Sequence, residues 1–577
     1  MNLLTRKYAL PFAVILSLLL ALTFVGCSQN IFMVVDQGQG DQNQKEEVEE
    51  ENEIDLEEQK RLEEERLKEE RTQRELVLKE ELGAFFVPLP PLELEENPPV
   101  KARGLYLTGN SVGQTDRFNK LMDLVTTTEL NSLVIDVKND HGVMSYKSEI
   151  EIVQEVGANR SVPIKDIKVA MEKIKERDIY PIARIVVFKD PHLAEQRAEW
   201  AIQRNGGGTW RDNKGVAWIN PYEKKVWDYN IAIAKEAALM GFREIQFDYV
   251  RFPENAKRVD KEAYYPGEDG LAKDDAIKEF LEYAREQLEE YNVHIAADTF
   301  GVIATSWGDS DRIGQTWEKV AANVEYNCPM IYPSHYGPGY FGYPVPDAHP
   351  AGTVTRALTD AIKRNASLEN PAIIRPWLQS FTASWIQGNI RYGAKEVRAQ
   401  IDAALALGID EYLIWNAGNS YISEAFLTEE EFQQRKKEFK DSLEEKGHDV
   451  LGRTIRTALD DYMEAVSKKK WREALVLHGT DFTISYNEYK PWMDSWTGKL
   501  VSYDIKPVSE EGKKAVFEID IVVTIDKTEY KIEGQMFQVY KENNIWKVKP
   551  SKEFLALLTY KPEPEVELEQ ELEFEDQ

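Results

Sequence analysis

The sequence predicts an α/β protein, a (β/α)8 barrel followed by a small α+β domain. Three observations predict it: apolar strand-like runs alternate with amphipathic helix-like runs from Lys101 to about Lys446, there are eight such strands, and nearly every one ends in polar or ionisable residues. In a parallel barrel those ends converge on one mouth, where the fold keeps its chemistry. An open doubly wound sheet fits less well, because no Gly-rich phosphate turn follows the first strand and polar endings are not confined to one switch point.

The strands are read as Gly104–Thr108, Ser132–Val137, Tyr180–Phe188, Glu244–Tyr249, Val293–Asp298, Cys328–Tyr332, Ala372–Leu378 and Glu411–Trp415. Helical periodicity lies between them, over Arg117–Thr128, Ile164–Arg177, Glu223–Met240, Asp275–Tyr291, Thr316–Ala322, Val354–Asn365 and Ala394–Leu407. The segment REIQFDYVRFP carries most information: an apolar fourth strand closes on Asp248, Tyr249 and Arg251 before Pro253. The Gly-rich insert NGGGTWRDNKGVAWINP, with Trp210 and Trp218, reads as a long loop over the mouth.

Ahead of the barrel, Arg6 and Lys7 precede an apolar run from Tyr8 to Val25, the pattern of an export signal at 1–27. The segment LTFVGC resembles a bacterial lipoprotein cleavage box, which implies lipidation of Cys27, a membrane tether and an extracytoplasmic location on the bacterial cell membrane. Residues 28–99 form an acidic spacer, helical or disordered, with Glu64–Lys68 and Glu70–Arg74 at helical spacing and prolines from Pro88 to Pro99 closing it. After the barrel (100–446), one amphipathic helix, Thr454–Val466, and the alternating runs Phe482–Tyr486, Gly498–Lys506, Lys514–Ile525, Tyr530–Tyr540 and Ile545–Lys549 give the small domain, 451–560. That domain resembles the nuclear-transport-factor-like cone fold. An acidic tail, 561–577, ends the chain.

Composition narrows the function. A formal charge of −30 on 577 residues excludes nucleic acid as a partner, because a polyanion gains nothing by counterion release. Of 2 cysteines, Cys27 is assigned to the lipid and Cys328 lies in an apolar run, so no disulfide framework is expected. The 7 histidines are scattered without an HxH or HExxH pattern, so neither a metal nor another cofactor is expected. No motif names a protein partner.

The strand ends supply the candidate site. Asp248 and Asp298 end consecutive strands, four and five, and are read as the catalytic pair, because glycosidic cleavage needs one carboxyl group to protonate the leaving oxygen and another to attack or activate water. Asp248 is the nucleophile or base, with Tyr249 and Arg251 available to keep it ionised; the alternative is a structural ion pair with Arg251. Asp298 is the proton donor, its apolar neighbours Ala296, Ala297 and Phe300 raising its pKa; the alternative is a helix cap. Asp136, Asp140, Tyr249, Arg251, Tyr332, His335, Tyr336, Arg375, Trp377, Gln379, Trp415 and Asn416 are read as substrate-binding, the polar groups for sugar hydroxyls and the aromatic faces for stacking.

The segments RGLYLTG, LVIDVKNDHG, QFDYVRFP, AADTFG, PMIYPSHY and YLIWNAG resemble the bacterial family named putative glycoside hydrolase domain, over roughly Lys101–Ser423. The resemblance implies a polysaccharide-directed barrel. A membrane-tethered glycoside hydrolase acting on a poly- or oligosaccharide of the cell wall or an exopolysaccharide is therefore the first reading. A lipoprotein that binds cell-wall polysaccharide without cleaving it is the second.

Overall fold

The computed structural model describes residues 42–558 except 307, 480–481, 483–492, 526 and 543. The export signal, Cys27, most of the Phe482–Tyr486 run and the acidic tail lie outside the described residues. The chain divides into two units, Met1–Thr72 and Gln73–Gln577.

The helix Gln42–Leu82 begins in the first unit. Its side chains from 58 to 70 are all exposed, and Arg66 pairs with Glu63 and Glu70 and Lys68 with Glu64. A helix without an apolar face is held by such i,i+3 and i,i+4 pairs rather than by packing.

Among the described residues of the second unit, fifteen strands follow: β1 (Arg103–Leu107), β2 (Ser132–Lys138), β3 (Tyr180–Val186), β4 (Gln203–Arg204), β5 (Glu244–Asp248), β6 (Ala263–Tyr264), β7 (His294–Phe300), β8 (Tyr326–Ile331), β9 (Ile373–Ile374), β10 (Trp377–Gln379), β11 (Tyr412–Trp415), β12 (Lys499–Glu511), β13 (Lys514–Ile525), β14 (Thr528–Glu542) and β15 (Ile545–Lys549). Parallel pairing runs β10–β11–β1–β2–β3–β5–β7–β8–β9, and β10 also pairs with β8, which closes the sheet. It is the expected eight-stave barrel. The seventh stave is broken into β9 and β10 around Arg375-Pro376, since proline offers no N–H to the ladder.

Strand periodicity divides the barrel residues between two cores. One set, including Leu105, Ile135, Ile185, Phe247 and Ile414, packs outward under the helices. The other, including Val134, Ile182, Ala296, Cys328 and Leu413, fills the barrel interior, where Cys328 is a buried hydrophobe as its surroundings in the sequence suggested. Both sets are buried on both faces of each strand, which is why these strands read as continuous apolar runs.

Two parts differ from expectation. The segment assigned to the end of the spacer packs on the barrel: Val87 and Leu89 are buried, Asn97 Nδ2 donates to the carbonyls of Arg243 and Asn292, and Tyr291 donates to the Pro88 carbonyl. Its prolines stop the helix but leave an extended chain whose apolar side chains find cover. Arg74, expected to pair with Glu70, reaches Glu290 at 2.6 Å.

The insert is also more than a loop. β4 pairs with β6, and the bridges Ala201↔Ile219 and Arg211↔Ala217 fold it into a small antiparallel lobe. Trp210 and Trp218 are buried in it, their indole N–H groups donating to Glu262 and Asp212.

Beyond the helix Glu429–Glu445, started by a Thr428/Glu431 capping box, the helix Ile455–Ser467 covers an antiparallel sheet in the order β12–β13–β14–β15. Alternate residues of β13 (Ala515, Phe517, Ile519, Ile521, Val523) enter that domain's own core with Leu459, Tyr462 and Phe537. It is fastened to the barrel by Lys547, whose Nζ donates to the Ala366 carbonyl at 2.8 Å.

Candidate active site

Three interior layers lead up the barrel, and their contents follow from residue parity. At the N-terminal end sits Arg375, donating to both carboxyl oxygens of Glu244 at 2.8 Å, to Glu411 at 3.0 Å and to the Val100 carbonyl at 3.2 Å. Its guanidinium lies 3.5 Å from the ring centre of Tyr326. The middle layer is largely apolar, with Gln246 donating to the Cys328 sulfur. The third layer, at the C-terminal ends, is ionic again.

That upper layer is organised by Arg184, from β3. It donates to Asp136 at 2.6 Å through one terminal nitrogen, and to Asp248 through Nε at 2.9 Å and the other terminal nitrogen. Burial opposes its charge, but Asp248 and Asp136 outweigh that and hold its pKa well above the usual range. Tyr106 donates its hydroxyl to Asp136 at 2.6 Å and stacks on Trp415 with ring centres 4.0 Å apart.

Asp248 is the last residue of β5, beside Asp298 in register, since Phe247 pairs with Ala297. Its remaining oxygen accepts the Tyr249 backbone N–H at 2.5 Å. Tyr249 has φ 49, a left-handed turn that a bulky residue adopts only when its surroundings enforce it. Lys189 lies over its ring and within 3.3 Å of its hydroxyl, and the Arg251 guanidinium lies 4.9 Å from the ring centre.

Asp298 is held differently. No cation touches it among the described residues; the Trp377 indole N–H donates to its Oδ1 at 2.7 Å. Burial and then the nearby Asp248 charge push its carboxyl well above the usual carboxylate range. Two carboxyl groups on adjacent strands thus have opposite surroundings, one in an ion pair and one in an apolar, aromatic setting.

Both open into a cavity of about 740 Å³. Its wall takes in seven of the residues expected to meet substrate, Tyr249, Arg251, Tyr332, His335, Tyr336, Trp377 and Trp415. The buried Tyr336 hydroxyl has no hydrogen-bond partner among the described residues, and the His335 ring, placed by Ser334 at 3.0 Å, has its pKa lowered by burial. Among the described residues no group of three or more His, Cys, Asp or Glu could hold a metal ion.

Five expected contacts are corrected. Arg375 lies at the opposite end of the barrel, two residues and therefore one layer below Trp377. Gln379 is buried away from the cavity, accepting from the Ser334 N–H and donating to Asp347 and the Phe381 carbonyl. Asn416 donates to the carbonyls of Ser380 and Ser420 and so fastens loops. Asp140 is paired with Lys189 at 3.0 Å, and Asp136 stands behind Arg184. The residue missed was Arg184: a charge in the middle of an apolar strand must be paired, and that signal was present in ARIVVF. Arg251 does not bind Asp248 but bonds the Phe252 carbonyl and Glu254, with Trp218 and Phe300 against its face.

A family model described as Putative glycosyl hydrolase domain matches residues 104–421. Among solved structures the chain is similar to a hypothetical protein from Ruminiclostridium thermocellum ATCC 27405, at 42% identity over 34% of this chain and 96% of that one, with a TM-score of 0.31. It is also similar to the PgaB (BpsB) glycoside hydrolase domain from Bordetella bronchiseptica, at 12% identity over 56% of this chain and 95% of that one, TM-score 0.41. A third is the spore cortex-lytic enzyme SleL from Bacillus megaterium QM B1551, at 13% identity over 60% and 76%, TM-score 0.36. No curated protein matches the chain.

Proposed function

The chain belongs to the Putative glycosyl hydrolase domain family; from that premise we propose that it cleaves a poly- or oligosaccharide of the bacterial envelope by a two-carboxylate mechanism. The observation that carries this is the asymmetry between Asp248, paired with Arg184, and Asp298, whose carboxyl is pushed upward in a water-poor setting.

Asp298 is the proton donor. A carboxyl group whose pKa is raised can deliver its proton to the glycosidic oxygen as the bond to the anomeric carbon breaks. Asp248, on the neighbouring strand, attacks that carbon or takes a proton from the attacking water. Arg184 positions Asp248, and Trp377 positions Asp298. Tyr332, Tyr336, His335 and Trp415 present hydroxyl, imidazole and ring faces to the sugar. The chemistry needs no cofactor.

The site works outside the cytoplasmic membrane in this reading, tethered through a lipid on Cys27, with the acidic helix as the arm between lipid and barrel. Palmitate labelling of wild type and of Cys27→Ala in membrane fractions tests the tether. For the chemistry, Asp248→Asn and Asp298→Asn are each expected to abolish release of reducing ends from peptidoglycan and exopolysaccharide preparations while sedimentation with the polymer persists. Wild type that sediments with these polymers and releases no reducing ends would replace the reaction with simple binding.

A further inference from the structure

The aromatic lining does not stop at the cavity rim. From the acid pair outward, Trp377 meets Trp415 at 5.6 Å, Trp415 meets Tyr332 at 6.5 Å, and Tyr332 meets Phe381 at 5.9 Å. Trp385 then stacks on Phe381, ring centres 6.1 Å apart and planes 19° from parallel. The first four line the cavity; Trp385 lies beyond it and is 68% exposed, the most exposed large apolar side chain among those described.

An exposed indole on a loose loop would mean little, but this loop is fastened. Asp347, itself buried, accepts from Gln379 at 3.0 Å and takes the Ile390 N–H, and its carbonyl accepts the Tyr392 hydroxyl at 2.9 Å. The Tyr392 N–H bonds the Thr382 hydroxyl, Ala383 is fully buried, and Asn416 holds the Ser380 carbonyl at 2.5 Å. These bonds explain why Gln379 and Asn416 lie near the mouth without facing the cavity. They hold a wide apolar ring in water, continuous with a wall that ends at the candidate acids, where burial would otherwise have been favoured.

We propose that Trp385 is an outer sugar platform, and that the substrate is therefore a linear polymer of pyranose units with equatorial substituents, running from the acid pair across Phe381 to Trp385. Such rings carry their hydroxyls around the edge and present C–H groups on the face, which is the surface a flat indole can cover. An axial hydroxyl projects from one of those faces and leaves only the other for the indole, so all-equatorial rings fit best. The inference rests on the glycosidase reading and adds to it a chain length and a sugar shape.

The test uses full-length protein carrying Asp298→Asn to prevent turnover, with chitohexaose, chitobiose, cellohexaose and cellobiose as probes in titration calorimetry. At least one hexamer is expected to bind more tightly than its dimer, and Trp385→Ala to weaken that hexamer about tenfold while leaving the dimer unchanged. Trp385→Tyr is expected to restore most of the affinity. Equal hexamer affinity with and without Trp385, or no hexamer binding at all, overturns the proposal. Cleavage assays on the single variants separate the two failures: if Asp248→Asn is inactive while Trp385→Ala binds hexamer normally, only the platform falls.

Discussion

The barrel contains two ionic clusters of similar composition and different surroundings. At its base one guanidinium, Arg375, meets two carboxylates, Glu244 and Glu411, and is sealed by Tyr326 and the Val100 carbonyl. At its mouth one guanidinium, Arg184, meets Asp136 and Asp248, and a third carboxyl group, Asp298, stands by without a cation. The base is closed and every donor nitrogen is used. The mouth opens on a cavity and carries one more acid than its arginine can serve. Excess charge next to solvent-accessible space, rather than the presence of buried ions, distinguishes a site from a staple.

The comparison breaks most sharply in activity. Asp298→Asn and Asp248→Asn should each lower turnover per folded molecule by roughly 10²–10⁴-fold, measured as reducing ends released. Glu411→Gln, at the base, should leave turnover per folded molecule intact; a loss comparable to that of the upper acids would erase the distinction. Stability should show the reverse order. Arg375→Met leaves two buried carboxylates uncompensated and should cost about 3–5 kcal/mol in denaturant unfolding, without altering substrate affinity of the folded fraction.

The third effect is in pH. Because the folded pKa of Asp298 is raised above its unfolded value, the folded state holds the proton more tightly. Its contribution to stability is complete below the ordinary carboxylate pKa and is lost as pH rises toward the folded one. In the proposed mechanism the same proton is the one delivered to the leaving oxygen, so turnover should fall on the alkaline side. Asp298→Asn should flatten the stability profile above pH 4, and an unchanged profile would remove Asp298 as the protonated partner. Smallest of all, Tyr106→Phe removes one hydrogen bond to Asp136 that Arg184 backs up, and should cost about 2 kcal/mol in unfolding.

Much of this was legible in residue order. Eight apolar runs with polar ends encode a barrel because alternation and length are local properties; Asp248 ends its strand as read, whereas the strand of Asp298 continues two residues further, to Phe300. Arg375 and Arg184 show where that reading stops. Both sit inside apolar strands; the sequence put Arg375 among the substrate contacts and passed over Arg184. Their layer depends on how far each strand is slid against its neighbours, which is fixed by pairings such as Asp136↔Arg184 and Trp377↔Leu413 between segments distant in the chain.

The sequence by itself determined the fold class and the second domain, since each is written in periodicity along one stretch of chain, and it put the proposed pair of acids on neighbouring strands. Only the tertiary structure decided that Arg184 holds Asp248, that Trp377 holds Asp298 and that the aromatic wall runs out to Trp385. Those are meetings between strands and loops that share no local pattern. Barrel closure and register bring them together, and burial there raises the pKa of Asp298.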